Sequence, residues 1–248
     1  MDVSLYQAAA AMNATAHWQD VIAGNLASAS IPGGRRQEVS FSTIEAGLAA
    51  NSGLAQSKYY ITSANDVTNF KPGEMKTTGG PTDFALEGPG FFTVQLPNGQ
   101  HAYTRDGEFR LNSQGQLVTK QGYPVLGSNG TLQFNPNNDS AAITLSATGE
   151  LSQGAESVGK LQLTEFTGSQ HLTNIGSGFF LADDKLAKPY PAASTQVRQG
   201  FVEASNTSPT TEMATLITAM RMFESNQKVL QMQGDRMSKV ITELGGAS

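Results

Sequence analysis

Apolar residues repeat at helical spacing at both ends of this chain, and at strand spacing through most of the length between them. Near the N-terminus Leu5, Ala9, Met12, Ala16, Ala23 and Leu26 follow one another at steps of about four and three, with Gln19 in the intervening place. This predicts an amphipathic helix over residues 3 to 29. Its stripe is mostly alanine, which buries little area at about 25 cal/mol per Å², so the helix needs a partner to persist. Near the C-terminus Leu216, Phe223, Leu230, Met237 and Leu244 recur every seven residues, with Met213, Met220, Gln227, Gly234 and Ile241 interleaved. That heptad pattern predicts a second helix over 210 to 244, entered at Ser208-Pro209, left at Gly245-Gly246 and about 50 Å long. The stripes have two readings, an intramolecular hairpin with an ordinary core or surfaces for other molecules. Gln227 and Gly234 on the second seam suit a place where several helices approach closely.

Residues 83 to 127 read differently. Short alternating apolar runs are separated by Asn98-Gly99, Asp106-Gly107, Gly115 and Gly122, which are hairpin signals. Further strands are predicted at 131 to 134, 142 to 145, 160 to 166 and 178 to 182. The fold class is mixed α and β: long N- and C-terminal helices packing side by side as a coiled-coil-like pair, with an inserted, mainly antiparallel β domain. The expected organisation is an N-terminal helix and hinge (1–34), an extended connector (35–69), the β domain (70–195), and a connector with the C-terminal helix (196–248).

Composition narrows the function classes. Charged residues make up 15% of the 248, glycine is abundant at 26, and the net charge is −5. Scattered basic residues give no footprint for a phosphate backbone, so no nucleic-acid partner is expected. There is no cysteine, which removes disulfides, thiol catalysis and thiolate metal sites. The first basic residue is Arg35, so no cleaved secretory signal is expected, and no run is long and apolar enough for membrane insertion.

Candidate chemistry is sparse. His17, His101 and His171 stand in no metal-ligand spacing, and solvated or locally hydrogen-bonded histidines are the better reading. Gly88-Pro89-Gly90 lacks a following lysine and leads into a strand, Phe91 to Val94, so it fails as a phosphate loop. Asn135, Asn137, Asn138 and Asp139 lack the calcium-loop pattern and read as a turn built on Pro136. Asp106-Gly107-Glu108 offers paired carboxylates, but Asp-Gly between strands reads as a hairpin corner. No catalytic, cofactor-binding or metal-binding residue and no enzyme activity are expected; a secreted carbohydrate-binding or hydrolytic β domain is the alternative from another class.

Three ordered motifs carry a resemblance. Asn25-Leu26-Ala27-Ser28-Ala29-Ser30-Ile31-Pro32-Gly33 is similar to the Asn-Leu-Ala-Asn-x-x-Thr-Pro-Gly signature that follows the first helix in the bacterial flagellar rod and hook family. Lys71-Pro72-Gly73-Glu74-Met75, Thr78-Gly79, Asp83 to Phe92 and Tyr103-Thr104-Arg105-Asp106-Gly107-Glu108-Phe109 resemble that family's entry into its β domain and a hairpin within it. Gly200-Phe201-Val202-Glu203-Ala204-Ser205-Asn206, leading to Glu212-Met213 and Arg221 to Val229, resembles its Gly-x-x-Glu-x-Ser-Asn and C-terminal assembly helix.

The resemblance spans nearly the whole chain. It implies a structural subunit of the basal-body rod, with other copies and other flagellar rod proteins as partners and the flagellar type III export apparatus in transit. The implied location is the periplasmic rod, where terminal helices of many subunits pack as tubes around a channel with the β domains outside. The short connector favours the proximal-rod type, with the distal-rod type next. The implied assembly residues are Leu5, Met12, Asn25, Leu26, Ala27, Pro32, Gly33, Gly200, Glu203, Ser205, Asn206, Leu216, Met220, Phe223, Asn226, Leu230, Met237 and Leu244. Pro32-Gly33-Gly34 is the expected joint between helix and outer domain. Ser28, Ile31 and Gly34 depart from the family's Asn, Thr and aromatic residue.

Overall fold

A computed structural model describes residues 3–49, 57–136, 138, 141–182 and 186–245. The chain divides into two compact units, Met1–Leu26 with Gln37–Thr68 and Pro209–Ser248, and Ala27–Arg36 with Asn69–Ser208.

The first unit holds two helices, α1 (Val3–Ser28) and α2 (Pro209–Gly245). Proline at the first position of α2 is pre-set for helical φ, and Glu212 in its first turn complements the helix dipole. Where the sequence reading has only a connector, the structure has a two-stranded antiparallel ribbon, Gln37–Ala49 against Ser57–Thr68, with a register shift between Glu45 and Gly47. Val39, Phe41, Thr43 and Ile44 face a partner strand containing Tyr59, Tyr60, Ile61 and Thr62, residues whose branched or aromatic side chains suit a pleated surface. The ribbon meets α1 through an edge-to-face pair of Trp18 and Phe41, centroids 5.7 Å apart, and through His17 Nε2 and Asp66 Oδ1 at 2.7 Å.

The helices are placed as the sequence predicts, but α1 buries a different face. Ala14, Thr15, Val21, Ile22 and Asn25 are buried. Of the predicted seam, Leu5 and Ala23 are exposed and Ala9, Met12, Ala16 and Leu26 only partly buried. Alanines on several faces of the helix made the stripe ambiguous, and the bulky Trp18 that meets the ribbon was outside it. In α2 the inward stripe runs Glu212, Leu216, Ala219, Phe223, Asn226, Leu230 and Gln233 at alternating steps of four and three. Leu216, Phe223 and Leu230 are therefore on the inner face, whereas the interleaved Met213, Met220 and Ile241 are 53%, 50% and 64% exposed. Two polar contacts link the helices: Asn226 Nδ2 donates to Thr15 Oγ1 at 3.4 Å, and Asn25 Nδ2 to Glu212 Oε2 at 3.3 Å.

The second unit is built on a six-stranded antiparallel sheet in the order Leu172–Gly176, Phe179–Ala182, His101–Thr104, Phe91–Gln95, Leu163–Thr167, Lys188–Pro191. Alternation along Phe91–Gln95 separates two clusters. Phe92 and Val94 join Phe84, Phe109, Leu117, Val125, Phe134, Leu151 and Leu161, while Phe91 packs with Tyr103, Phe166, Leu172 and Phe180. Asn98-Gly99 closes a hairpin as expected, with Gly99 N–H donating to the Leu96 carbonyl. Asp106-Gly107 is not a hairpin corner. A Cβ on Gly107 would lie 1.6 Å from the Phe84 carbonyl oxygen, so this glycine is required where two segments of main chain touch. Asn135 to Asn138 does turn, with Asn138 N–H donating to the Asn135 carbonyl; Asn137 and Asp139 lie outside the described residues.

Candidate functional site

The most constrained polar cluster lies in the second unit. Glu203, 1% exposed, ends the short strand Phe201–Glu203. Its Oε1 accepts from Arg35 Nη1 at 2.7 Å and from Gly73 N–H at 2.7 Å, and its Oε2 faces Arg105 Nη1 at 3.4 Å. Arg105 also donates through Nη2 to the Gly88 carbonyl at 2.6 Å and lies 4.9 Å over the Phe91 ring. Burial pushes the Arg105 guanidinium down to about 10, the Glu203 carboxylate opposing this and the Arg35 charge adding to it; it stays charged at neutral pH. Gly88-Pro89-Gly90 is thus structural, for Gly90 N–H donates to Thr195 Oγ1.

The joint after α1 closes on this cluster. Gly33, at φ +65°, donates its N–H to the Glu203 carbonyl at 2.7 Å. A Cβ there would meet the Arg105 main chain at 2.4 Å, and one on Gly34 would meet the Ser28 and Ile31 carbonyls and Ser205 Oγ within 3 Å. This tight fit accounts for the absence of an aromatic ring at position 34 in this conformation. Asn206 Oδ1 accepts from Arg36 N–H at 2.7 Å, while its Nδ2 donates to the carbonyls of Asn69 at 2.9 Å and Lys71 at 2.8 Å. Ser205 Oγ donates to the Gly34 carbonyl at 3.3 Å. The Asn206 side chain therefore holds two main-chain segments, at Arg36 and at 69–71, which gives the Glu-x-Ser-Asn spacing a physical reason: Glu203, Ser205 and Asn206 close the joint together.

In the first unit Asn25 does comparable work. Its Nδ2 donates to the Gln37 carbonyl at 2.7 Å and its Oδ1 accepts from Gln37 N–H at 2.8 Å, as a neighbouring strand would. Among the other sequence-predicted residues, Pro32 and Gly200 are partly buried and Ala27 is exposed. Met237 is 43% exposed, and the side chain of Leu244 lies outside the described residues. Sequence reasoning missed Arg35, Arg105, Thr15 and Ala219. Arg105 stood inside a quoted motif, but a charged residue's burial is set by a partner 98 positions away, which spacing does not reveal.

Of the paired carboxylates, Asp106 is buried and Glu108 partly buried. Asp106, 7% exposed, accepts from Glu108 N–H at 3.0 Å, and Glu108 pairs with Lys120. Burial raises Asp106 to about 6, with Asp83 adding to the shift and Lys120 opposing it. Among the described residues no group of acids and histidines is arranged to hold a metal ion, and no helix is long and apolar enough to cross a membrane.

Residues 85–153 match the family described as flagellar hook protein FlgE/F/G D1 domain, and residues 198–243 match flagellar basal body rod FlgEFG protein C-terminal. The chain is 31% identical to a flagellar basal-body rod protein FlgF of Caulobacter vibrioides, over 99% of both chains. It is 31% identical to the FlgF of Escherichia coli, over 96% of this chain and 97% of that one. Against the flagellar basal-body rod protein FlgG of Borreliella burgdorferi it is 31% identical, over 92% of this chain and 93% of that one.

Proposed function

The chain belongs to the flagellar basal-body rod protein family, and from that premise we propose that it is a proximal-rod subunit polymerising through its terminal helices into a hollow, torque-transmitting shaft. The family is structural, not enzymatic. The observation that carries the reading is α2. Its inner stripe is spent on its own chain, yet Met213, Ile217 and Met220 are each at least half exposed on a neighbouring stripe. Every residue from Gly234 to Glu243 is exposed as well. A 37-residue helix whose last turns are exposed gains little from packing there, and exposed apolar residues at helical spacing suit further helices.

In this reading copies of the chain and other rod proteins supply those helices, and α1 and α2 complete a coiled-coil-like seam, including Leu5, Met12, Met237 and Leu244, when neighbours are present. Head-to-tail contacts that do not close produce a helical filament of this kind. Residues 70–195 form the outer domain, and the joint at Pro32-Gly33-Gly34 with Glu203, Ser205 and Asn206 sets how the chain leaves the helical wall. Export proceeds through the flagellar type III apparatus, and the assembled location is the periplasmic part of the basal body. The short connector supports the proximal rod over the distal one, and relatives named FlgF and FlgG are matched at similar identity.

The test is Met220→Asp in a strain lacking the native copy. The isolated variant is expected to keep its unfolding midpoint while the strain loses its rods and its motility. Normal motility with that variant would sink the assembly reading. Locating the chain in a map of an intact basal body separates proximal from distal rod.

A further inference from the structure

The Arg35, Glu203 and Arg105 cluster carries more donors than it uses. Arg35 holds Glu203 with Nη1 alone, so its Nε–H and Nη2–H, the side-on fork of the guanidinium, are buried without an acceptor. Arg105 spends Nη1 on Glu203 and Nη2 on Gly88, and its Nε–H is likewise buried without one. The side chains of Arg35, Arg105 and Glu203 are 0%, 4% and 1% exposed. Glu203 Oε1 is already shared with Gly73 N–H. The next acid, Glu165, is bound by Ser194 N–H, the Ser194 and Thr195 hydroxyls and Tyr190, and is the weakest of the charges acting on Arg105. Two guanidiniums thus share one carboxylate, and buried donors left unpaired are costly.

We propose that this joint binds one small monovalent anion of the halide class, held by the Nε–H and Nη2–H fork of Arg35 with Arg105 Nε–H. A guanidinium fork is built to grip an anion with two parallel N–H bonds. The joint is close-packed nearby, for Gly33 lies against the Arg105 main chain and Cβ with no room for a methyl group. A single-atom anion supplies the missing acceptor to several N–H groups at once and balances the second guanidinium. Binding would tie residues 27–36 to the β-rich part of their unit, so folding of that unit should depend on the anion. This inference stands on the buried cluster alone and does not require the assembly reading.

The full chain is melted in sodium chloride, sodium bromide and sodium gluconate at one ionic strength. The midpoint is expected to rise saturably, by several degrees, with either halide and not with gluconate. Arg35→Lys keeps a charge for Glu203 but lacks the fork, and should abolish that halide dependence. Crystals soaked in bromide should show an anomalous peak within hydrogen-bond reach of Arg35 Nε and Nη2. Equal midpoints in chloride and gluconate, halide dependence that survives in the Arg35→Lys variant, or density there without anomalous signal overturns the proposal. If Arg35→Lys does not fold, the bromide peak in the unaltered chain decides alone.

Discussion

Asn25 grips the main chain of Gln37 with both of its polar groups, donating to its carbonyl at 2.7 Å and accepting from its N–H at 2.8 Å. The same Nδ2 approaches Glu212 Oε2 at 3.3 Å. Replacing the amide with alanine leaves both Gln37 groups without that partner, at a cost of about 1 to 3 kcal/mol. Asn25→Asp keeps the acceptor but turns a carboxylate toward the Gln37 carbonyl and Glu212, and should cost more at neutral pH. Denaturant midpoints rank the variants, and hydrogen exchange at the Gln37 amide localises the loss. Unchanged protection at Gln37 would mean the contact is not formed in solution.

Glu203 should be among the most sensitive positions in the chain. Removing one partner of a buried ion pair strands the other charge, at about 3 to 5 kcal/mol, and here two guanidiniums and the Gly73 N–H lose their acceptor together. Glu203→Ala is expected to unfold the second unit or shift its midpoint by that amount, with Glu203→Gln intermediate. A loss below about 1 kcal/mol would mean that the cluster is hydrated in solution.

Asp106 makes the second unit pH-dependent in the direction opposite to a salt-bridged acid. Its folded value is raised to about 6 from 3.8, so the folded state binds a proton that the unfolded chain releases. The resulting stability is present in full below about pH 4 and is lost as pH rises through about 6. Asp106→Asn preserves the acceptor for Glu108 N–H and carries no charge to bury. It should therefore be more stable than the native chain at pH 8 by about 1 to 3 kcal/mol and lose that advantage by pH 4. Melting both proteins across that range checks it; parallel curves would show that Asp106 titrates alike in both states.

Two glycines that look equivalent in the sequence separate in the structure. A Cβ on Gly107 would collide with the Phe84 carbonyl, whereas one on Gly122, in a turn at φ +87°, has no atom within 4 Å. Gly122→Ala should cost about 1 kcal/mol, the penalty of a left-handed alanine. Gly107→Ala has to displace main chain in the larger core and should prevent native folding. Circular dichroism and melting of the two variants discriminate them, and comparable midpoints would contradict the close approach.

The contrast shows what the sequence could convey. Local signals were legible: the boundaries of α2, the Asn98-Gly99 turn, and the period-2 runs around Phe91 and Phe92 depend on neighbours a few residues apart. The ribbon at 37–68 has strand-forming residues but no Asn-Gly or Asp-Gly turn between them, so its hairpin is not marked locally in the sequence. The inner face of α1 was misread because alanines occur on several of its sides, and only tertiary contact with Phe41 and Thr15's partner Asn226 distinguishes them. Glu203, Ser205 and Asn206 were visible as a motif, but the reason for their spacing depends on Arg35, Arg36 and Gly34, about 170 positions away.

Proteolysis of the isolated chain tests how far α2 depends on neighbours. Arg221, Lys228, Arg236 and Lys239 are all exposed on α2, and every residue from Gly234 to Glu243 is exposed. A helix end without tertiary contacts opens often, since most helical stability in proteins comes from packing. Among the described residues of the second unit, Arg35 and Arg105 are buried, Lys160 and Arg198 lie on paired strands, and Lys120, exposed in a turn, is paired with Glu108. Light trypsin treatment should therefore cut first at Lys239 and Arg236, then at Lys228 and Arg221, leaving a product that retains residues 70–195. In assembled rods the same sites should be protected, because neighbouring helices would cover them. If α2 in the isolated chain resists trypsin as well as the β-rich unit does, the helix is complete on its own and assembly adds no order to it.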